Sequence, residues 1–215
     1  EALRNFLQLL AYPPVHEGSD VASFEEFVAA FDWAKVNTTG PIFDLAKLNA
    51  LNGHYIRALP ADELADRVVE FAVREGQWTQ PSPAEVALLR RAVPLVQERL
   101  VLLSEAVPKL AYLFSSDDDL TIDPDALAKA GPDAVPVVAA ATEALTALGE
   151  WDHEAIQAAL REALVEGMGI KPKFAFGPVR LAVTGSYVSP PLFESMELLG
   201  RESSLARLAK LAALL

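Results

Sequence analysis

Five aspartates crowd the middle of the chain, Asp117-Asp118-Asp119 followed by Asp123 and Asp125, and calcium binds through several such carboxylate oxygens. The spacing does not fit that chemistry. Counting a calcium loop from Asp117 puts Ile122 where glycine has to make the turn and Ala128 where the bidentate glutamate belongs. The stretch reads instead as a solvated loop in which Asp123 caps a helix starting at Pro124. The three histidines, His16, His54 and His153, lie far apart, and none neighbours a serine in a glycine-rich elbow. No phosphate-cradling glycine loop occurs, and without cysteine there is neither a thiolate metal site nor a disulfide. Taken alone, the residues show no active site and imply no metal.

One segment near the end carries more punctuation than the rest. Gly177-Pro178-Val179-Arg180-Leu181-Ala182-Val183-Thr184-Gly185 is followed by Ser189-Pro190-Pro191-Leu192-Phe193-Glu194 and then by Leu198-Leu199-Gly200-Arg201-Glu202. We read a short helix stopped at Gly185, a loop, and a new helix capped by Ser189 with Pro190 in its first turn. A rigid loop with N–H groups beside Arg180 suits an extruded base or a phosphate. The same pattern also describes a helix hairpin whose arginine faces water. The stretch from Arg180 to Ser189 is the only one with a strand-like alternation, and it fits a helix ending at Gly185 as well.

The elements that would position this segment are helical throughout, so the predicted fold class is all-α. An opening helix runs from Ala2 to Leu10. Ser23 with Glu26 and Ser82 with Glu85 form capping boxes, the second with Pro83 in the first helical position. Asp44 and Asp152 are further caps, with Phe43/Leu48 and Trp151/Ile156 placed as staples. Val86, Leu89, Val93, Val96, Leu100 and Leu103 recur at helical spacing as one apolar stripe, kinked at Pro94. Gly76, Gly131, Gly149 and Gly200 mark helix ends. Breaks are expected at Ala58-Leu59-Pro60 and in the polar stretch from Ser115 to Asp125.

The chain of 215 residues is 52% apolar, ample for a core, yet its longest apolar run, Ala134 to Ala141, falls far short of a membrane span. A cytoplasmic setting is expected. The net charge of -12 opposes nucleic-acid binding at first sight. The charge is uneven, however. From Lys171 onward six basic residues stand against three acidic ones, leaving -15 on the first 170 residues. Phosphate contacts are therefore expected to be few and confined to the Arg/Lys-bearing end.

The pattern P-x-R-x-A-x-T-G, then P-x-L-F-E and L-L-G-R-E, is similar to the C-terminal signature of bacterial glutamyl-tRNA synthetases. Asn37-Thr38-Thr39-Gly40-Pro41-Ile42-Phe43-Asp44 with Leu51-Asn52-Gly53-His54-Tyr55-Ile56-Arg57 resembles that family's linker between its catalytic and anticodon domains. Glu1 to Leu7 and Phe24-Glu25-Glu26-Phe27 resemble its helices after the second catalytic motif. The chain departs from the family at Ala50, where tryptophan is common, and at Pro191, where small residues are. It also contains neither a His-x-Gly-His nor a Lys-Met-Ser-Lys type loop.

The resemblance implies a C-terminal fragment: a partial stem-contact region over residues 1–60 and an anticodon-binding helical cage over 61–215, with subdomains about 61–122 and 123–215. It implies that the parent is a glutamate-tRNA ligase using ATP and magnesium, whereas this piece would hold no cofactor and no catalytic residue. Its partner would be tRNA(Glu), with tRNA(Gln) left open, and neither DNA nor a membrane; the parent would be a monomer. Carried over by position, Arg180 contacts the middle anticodon base, while Ser189, Pro190 and Leu192 enclose the third. Arg99 is the candidate for the first base, with Arg91 as its rival. A helical protein-interaction module or a paralogue that has lost RNA binding is the alternative.

Overall fold

The computed structural model describes residues 1–40, 42–131 and 133–215. Pro41, within the linker-like motif, and Pro132 lie outside the described residues. Among the described residues there are helices and no strand. The helices group by contact into two units, residues 1–80 with 96–106, and residues 81–95 with 107–215.

The first unit contains α1 (Ala2–Ala11), α2 (Phe24–Ala30), α3 (Leu45–Ala58) and α4 (Ala61–Arg74). Ser23 and Glu26 close the expected capping box on α2, and the Asp44 carboxylate accepts from the Ala46 and Lys47 amides at the start of α3. Phe6 and Leu51 form the centre of a small core where α1 meets α3, and the Phe43 ring stands edge-on to Phe6. Asn5 is buried there with its amide satisfied, donating to the Asp20 carbonyl and accepting from Tyr55 Oη. The helix that follows Pro60 belongs to this same unit, as does the later segment 96–106, where the Gln97 amide donates to the Ile56 and Leu59 carbonyls at the end of α3.

The expected stripe from Val86 to Leu103 does not form one kinked helix. α5 (Pro83–Ala92) keeps its Ser82/Glu85 capping box but stops before Pro94, and only the single turn α6 (Pro94–Gln97) follows. Pro94 offers no N–H to the preceding turn, and at Leu95 to Val96 the chain passes from one unit to the other. The middle four of the apolar residues at helical spacing are buried as expected, Leu89 and Val93 in one unit, Val96 and Leu100 in the other, while Val86 and Leu103 are partly buried.

The second unit is completed by α7 (Ala106–Leu110) after its first residue, α8 (Pro124–Ala130), α9 (Ala134–Thr146), α10 (His153–Leu160), α11 (Pro172–Thr184), α12 (Leu192–Leu199) and α13 (Arg201–Leu214). Its core is built from α9, α10, α11, α12 and α13, with Val138, Leu145, Ile156, Leu160, Val179, Leu181, Met196 and Leu208 out of contact with solvent. Burying each such side chain is worth roughly 1.5–3 kcal/mol. Asp123 caps α8 with Pro124 in the first position, and Asp152 caps α10, both as the spacing predicts. The Trp151 indole N–H donates to the Met196 carbonyl, fastening the start of α10 to α12. α10 continues into a π-helical stretch, Arg161–Gly167.

Candidate functional site

The acidic loop that invites a calcium reading has another use. Asp117 Oδ1 accepts from Arg207 Nε at 2.7 Å, and the Arg207 guanidinium also donates to the carbonyls of Tyr112, Val183 and Ser115. At 1% exposure Arg207 is a core residue. One turn on, Lys210 Nζ donates to the carbonyls of Asp117, Asp118 and Leu120. Asp119 turns back to the Ser116 hydroxyl. Among the described residues no group of acidic side chains and histidines is placed to hold a metal.

This changes the charge picture. Of the six cations from Lys171 onward that charge counting pools together, Arg207 and Lys210 are spent on the fold. Arg201 donates to the Gly149 carbonyl and lies over the Trp151 ring. Lys171, Lys173 and Arg180 remain as the candidates for meeting a ligand.

Arg180 stands on α11, the helix that the sequence leaves open to a strand reading and that runs unbroken to Thr184. Gly185 ends it in the left-handed conformation at φ 76°, and a Cβ there would run into the Thr121 carbonyl oxygen. Only glycine fits. The same residue's carbonyl accepts from the Asp123 amide at 2.9 Å, so the turn after α11 is tied to the start of α8.

The chain then returns past Arg180. Its Nη1 donates to Ser189 Oγ and to the Pro190 carbonyl, each at 2.6 Å, and the Ser189 hydroxyl donates to the same carbonyl at 3.1 Å. The guanidinium plane is thereby set before any ligand arrives. Ser189 does not cap α12, contrary to expectation: the helix begins at Leu192, with Pro191 in the cap position and no side-chain cap. Ser189 and Pro190 each precede a proline, which disfavours the helical region for both, so the helix has to wait until the prolines end. α12 is held from inside instead. The Ser195 hydroxyl donates to the Pro191 carbonyl and receives the buried Tyr112 hydroxyl at 2.7 Å. Burial pushes the Tyr112 phenol up to about 12, so it remains a donor.

The residues assigned by sequence are only partly assembled. Arg180, Ser189 and Pro190 meet as one cluster. Leu192 is 2% exposed and packs in the core beneath the turn, where it supports the loop and presents no surface. Arg99 is exposed but belongs to the first unit, whereas its rival Arg91 lies on α5 in the same unit as Arg180.

Sequence reasoning misses what lies beside the cluster. A groove of about 1040 Å³ is lined by Lys129, Lys173, Phe174, Phe176, Arg180 and Tyr187, among others. Gly177 makes room for its wall, since a Cβ there would stand 3.2 Å from Tyr187 Cε1. The Lys-x-Lys-Phe run at the start of α11 is its only trace in the sequence.

Residues 63–212 match the family model described as "Anticodon binding domain". The chain belongs to the anticodon binding domain family. All of it aligns with the glutamate-tRNA ligase of Acidothermus cellulolyticus, at 53% identity and covering 43% of that protein. The corresponding ligase of Cutibacterium acnes is 52% identical over 99% of this chain and 44% of its own length. A glutamate tRNA ligase structure from Elizabethkingia meningosepticum superimposes with a TM-score of 0.83 at 21% identity, over 99% of this chain and 41% of that one, a likeness of fold. The chain thus spans less than half the length of these relatives. The all-α fold and the kinship with the C-terminal region of glutamate-tRNA ligases agree with the sequence reading. No helix among the described residues of this anticodon binding domain is long and apolar enough to cross a membrane.

Proposed function

We propose that this chain recognises the anticodon of tRNA(Glu) within a glutamate-tRNA ligase, and that its second unit carries the reading. The observation that supports it most is the guanidinium of Arg180, held by Ser189 and Pro190 and lining a groove together with Lys129 and Lys173. An arginine fork either hydrogen-bonds a base edge or stacks on a base face, and an unstacked anticodon exposes both. Holding that fork in place in advance lowers the ordering cost of binding.

On this reading Arg180 meets the middle base, and Ser189 and Pro190 stand beside the third. Arg99 and Arg91 compete for the first. Residues 1–60 contribute to stem contact. The adenylation chemistry, with ATP and magnesium, belongs to the rest of such an enzyme, because neither signature of that chemistry occurs in these residues. The chain alone is expected to bind and not to activate glutamate. A filter-binding titration checks this: tRNA(Glu) should bind more tightly than an unrelated tRNA, with a shallow salt dependence because few cations face a ligand. Equal affinity for both would remove specific reading.

A further inference from the structure

The groove beside Arg180 is larger than one base requires. At about 1040 Å³ it reaches the upper end of small-ligand pockets, and it extends from Arg180 along the first turns of α11 to Lys129 on α8. Three cations line it, Lys129, Lys173 and Arg180, against the single carboxylate of Asp133, in a chain whose net charge is -12. Lys129 and Lys173 are exposed, and neither side-chain ammonium hydrogen-bonds or ion-pairs with another described residue. Between Lys173 and Arg180 on α11 comes Phe174, 63% exposed although the helix buries Ala175 and Val179. An aromatic face, two uncommitted ammonium groups and an ordered guanidinium in one concavity match what single-stranded RNA offers: a base to stack and a phosphate to neutralise. An apolar peptide would have no use for the cations, and an acidic one none for the exposed Phe174 ring, which lines the groove with Phe176 and Tyr187.

We propose that this groove holds the nucleotide next to the one read by Arg180 by its face and its phosphate, the base stacked on Phe174 and the phosphate met by Lys129 and Lys173, while the base edge is left to the residues assigned above. The proposal rests on the anticodon reading and extends it to residues that carry stacking and charge and do not discriminate between bases. Its consequence is a separation of roles. Phe174 should add affinity that depends little on the identity of the neighbouring base, because every base has a face to stack.

The test uses the 215-residue chain and a tRNA(Glu) transcript in filter binding at several salt concentrations. Phe174→Ala is expected to weaken binding about fivefold to a hundredfold at every salt concentration, the range covered by stacking one base on an aromatic side chain. Phe174→Tyr should restore most of it. Lys129→Ala with Lys173→Ala should flatten the plot of log affinity against log salt by about 0.7 for the one phosphate lost. The thermal midpoint of each variant should match the unmodified chain, since all three side chains are exposed. Wild-type affinity for Phe174→Ala, alongside weakened binding by Arg180→Ala, would overturn the groove proposal and leave the anticodon reading standing. Wild-type affinity for both variants would overturn the two together.

Discussion

Arg207 and Arg180 are both held by hydrogen bonds to the fold, and to opposite ends. Each guanidinium donates to backbone carbonyl oxygen, three for Arg207 and one for Arg180, and each lies in the second unit. Arg207 is buried, bonded to three carbonyls and to Asp117 around its whole fork, so nothing outside the fold can reach it. Arg180 is only half-buried, pinned through Nη1 to the Ser189-Pro190 turn and lining an open groove. Charge counted along a sequence is therefore not charge that a ligand can use. Which arginine builds and which one reads is decided by what surrounds it.

The building arginine should give the strongest response. Arg207→Met removes the partner of four acceptors at once and should cost about 3–5 kcal/mol of stability in urea denaturation, the cost of breaking a buried charge network. A loss below about 1 kcal/mol would mean that the loop and α13 do not depend on each other. Gly185→Ala should cost at least about 1–3 kcal/mol, since an L side chain is strained at this φ and meets the Thr121 carbonyl as well. Because the turn after Gly185 also carries Ser189 past Arg180, this variant should weaken tRNA binding even under conditions where it remains folded. Normal binding by a destabilised Gly185→Ala chain would separate the turn from the site.

A weaker, pH-dependent response is expected where α10 meets α12, away from both arginines. His153 Nδ1 bonds Glu197 Oε2 at 2.7 Å, and the same oxygen accepts from the His153 amide. The bond to Glu197 raises the imidazole above its ordinary 6.5, and the bonds from His153, with help from the Arg91 charge, lower the carboxyl below 4.5. The histidine's contribution is therefore complete below pH 6.5 and is lost as pH rises through its raised value. That of the glutamate is complete above pH 4.5 and is lost as pH falls through its lowered value. Melting curves should show the gap between the unmodified chain and His153→Ala widest between pH 4.5 and 6.5 and narrowing as pH rises through the raised histidine value. A gap independent of pH would rule out the ion pair as its source.

Much of the fold is legible in the sequence because capping is local. Ser82, Asp123 and Asp152 each act within three residues, so spacing alone places the helices they start. The Pro94 break is only half legible: proline announces an interruption, but the passage of the chain into another unit depends on contacts far away in sequence. Ser189 misleads because capping rules rank its hydroxyl highly, while two consecutive prolines fix the backbone more firmly than one hydrogen bond can. Arg180 is reached through resemblance. The groove is not, because Lys129 and Phe174 come together only when α8 and α11 pack, and no local pattern records that. The fate of Arg207 is hidden for the same reason, its partner Asp117 being 90 residues away.

A cycle that couples Arg180 to the RNA decides whether this arginine reads. Affinities are measured for the unmodified chain and Arg180→Ala, each with tRNA(Glu) and with a transcript changed at the middle anticodon base. If Arg180 reads that base, the change should cost the unmodified chain roughly 1 to 3 kcal/mol and the variant almost nothing. Equal losses in both proteins would refute the assignment, because the base would then be read elsewhere or not at all.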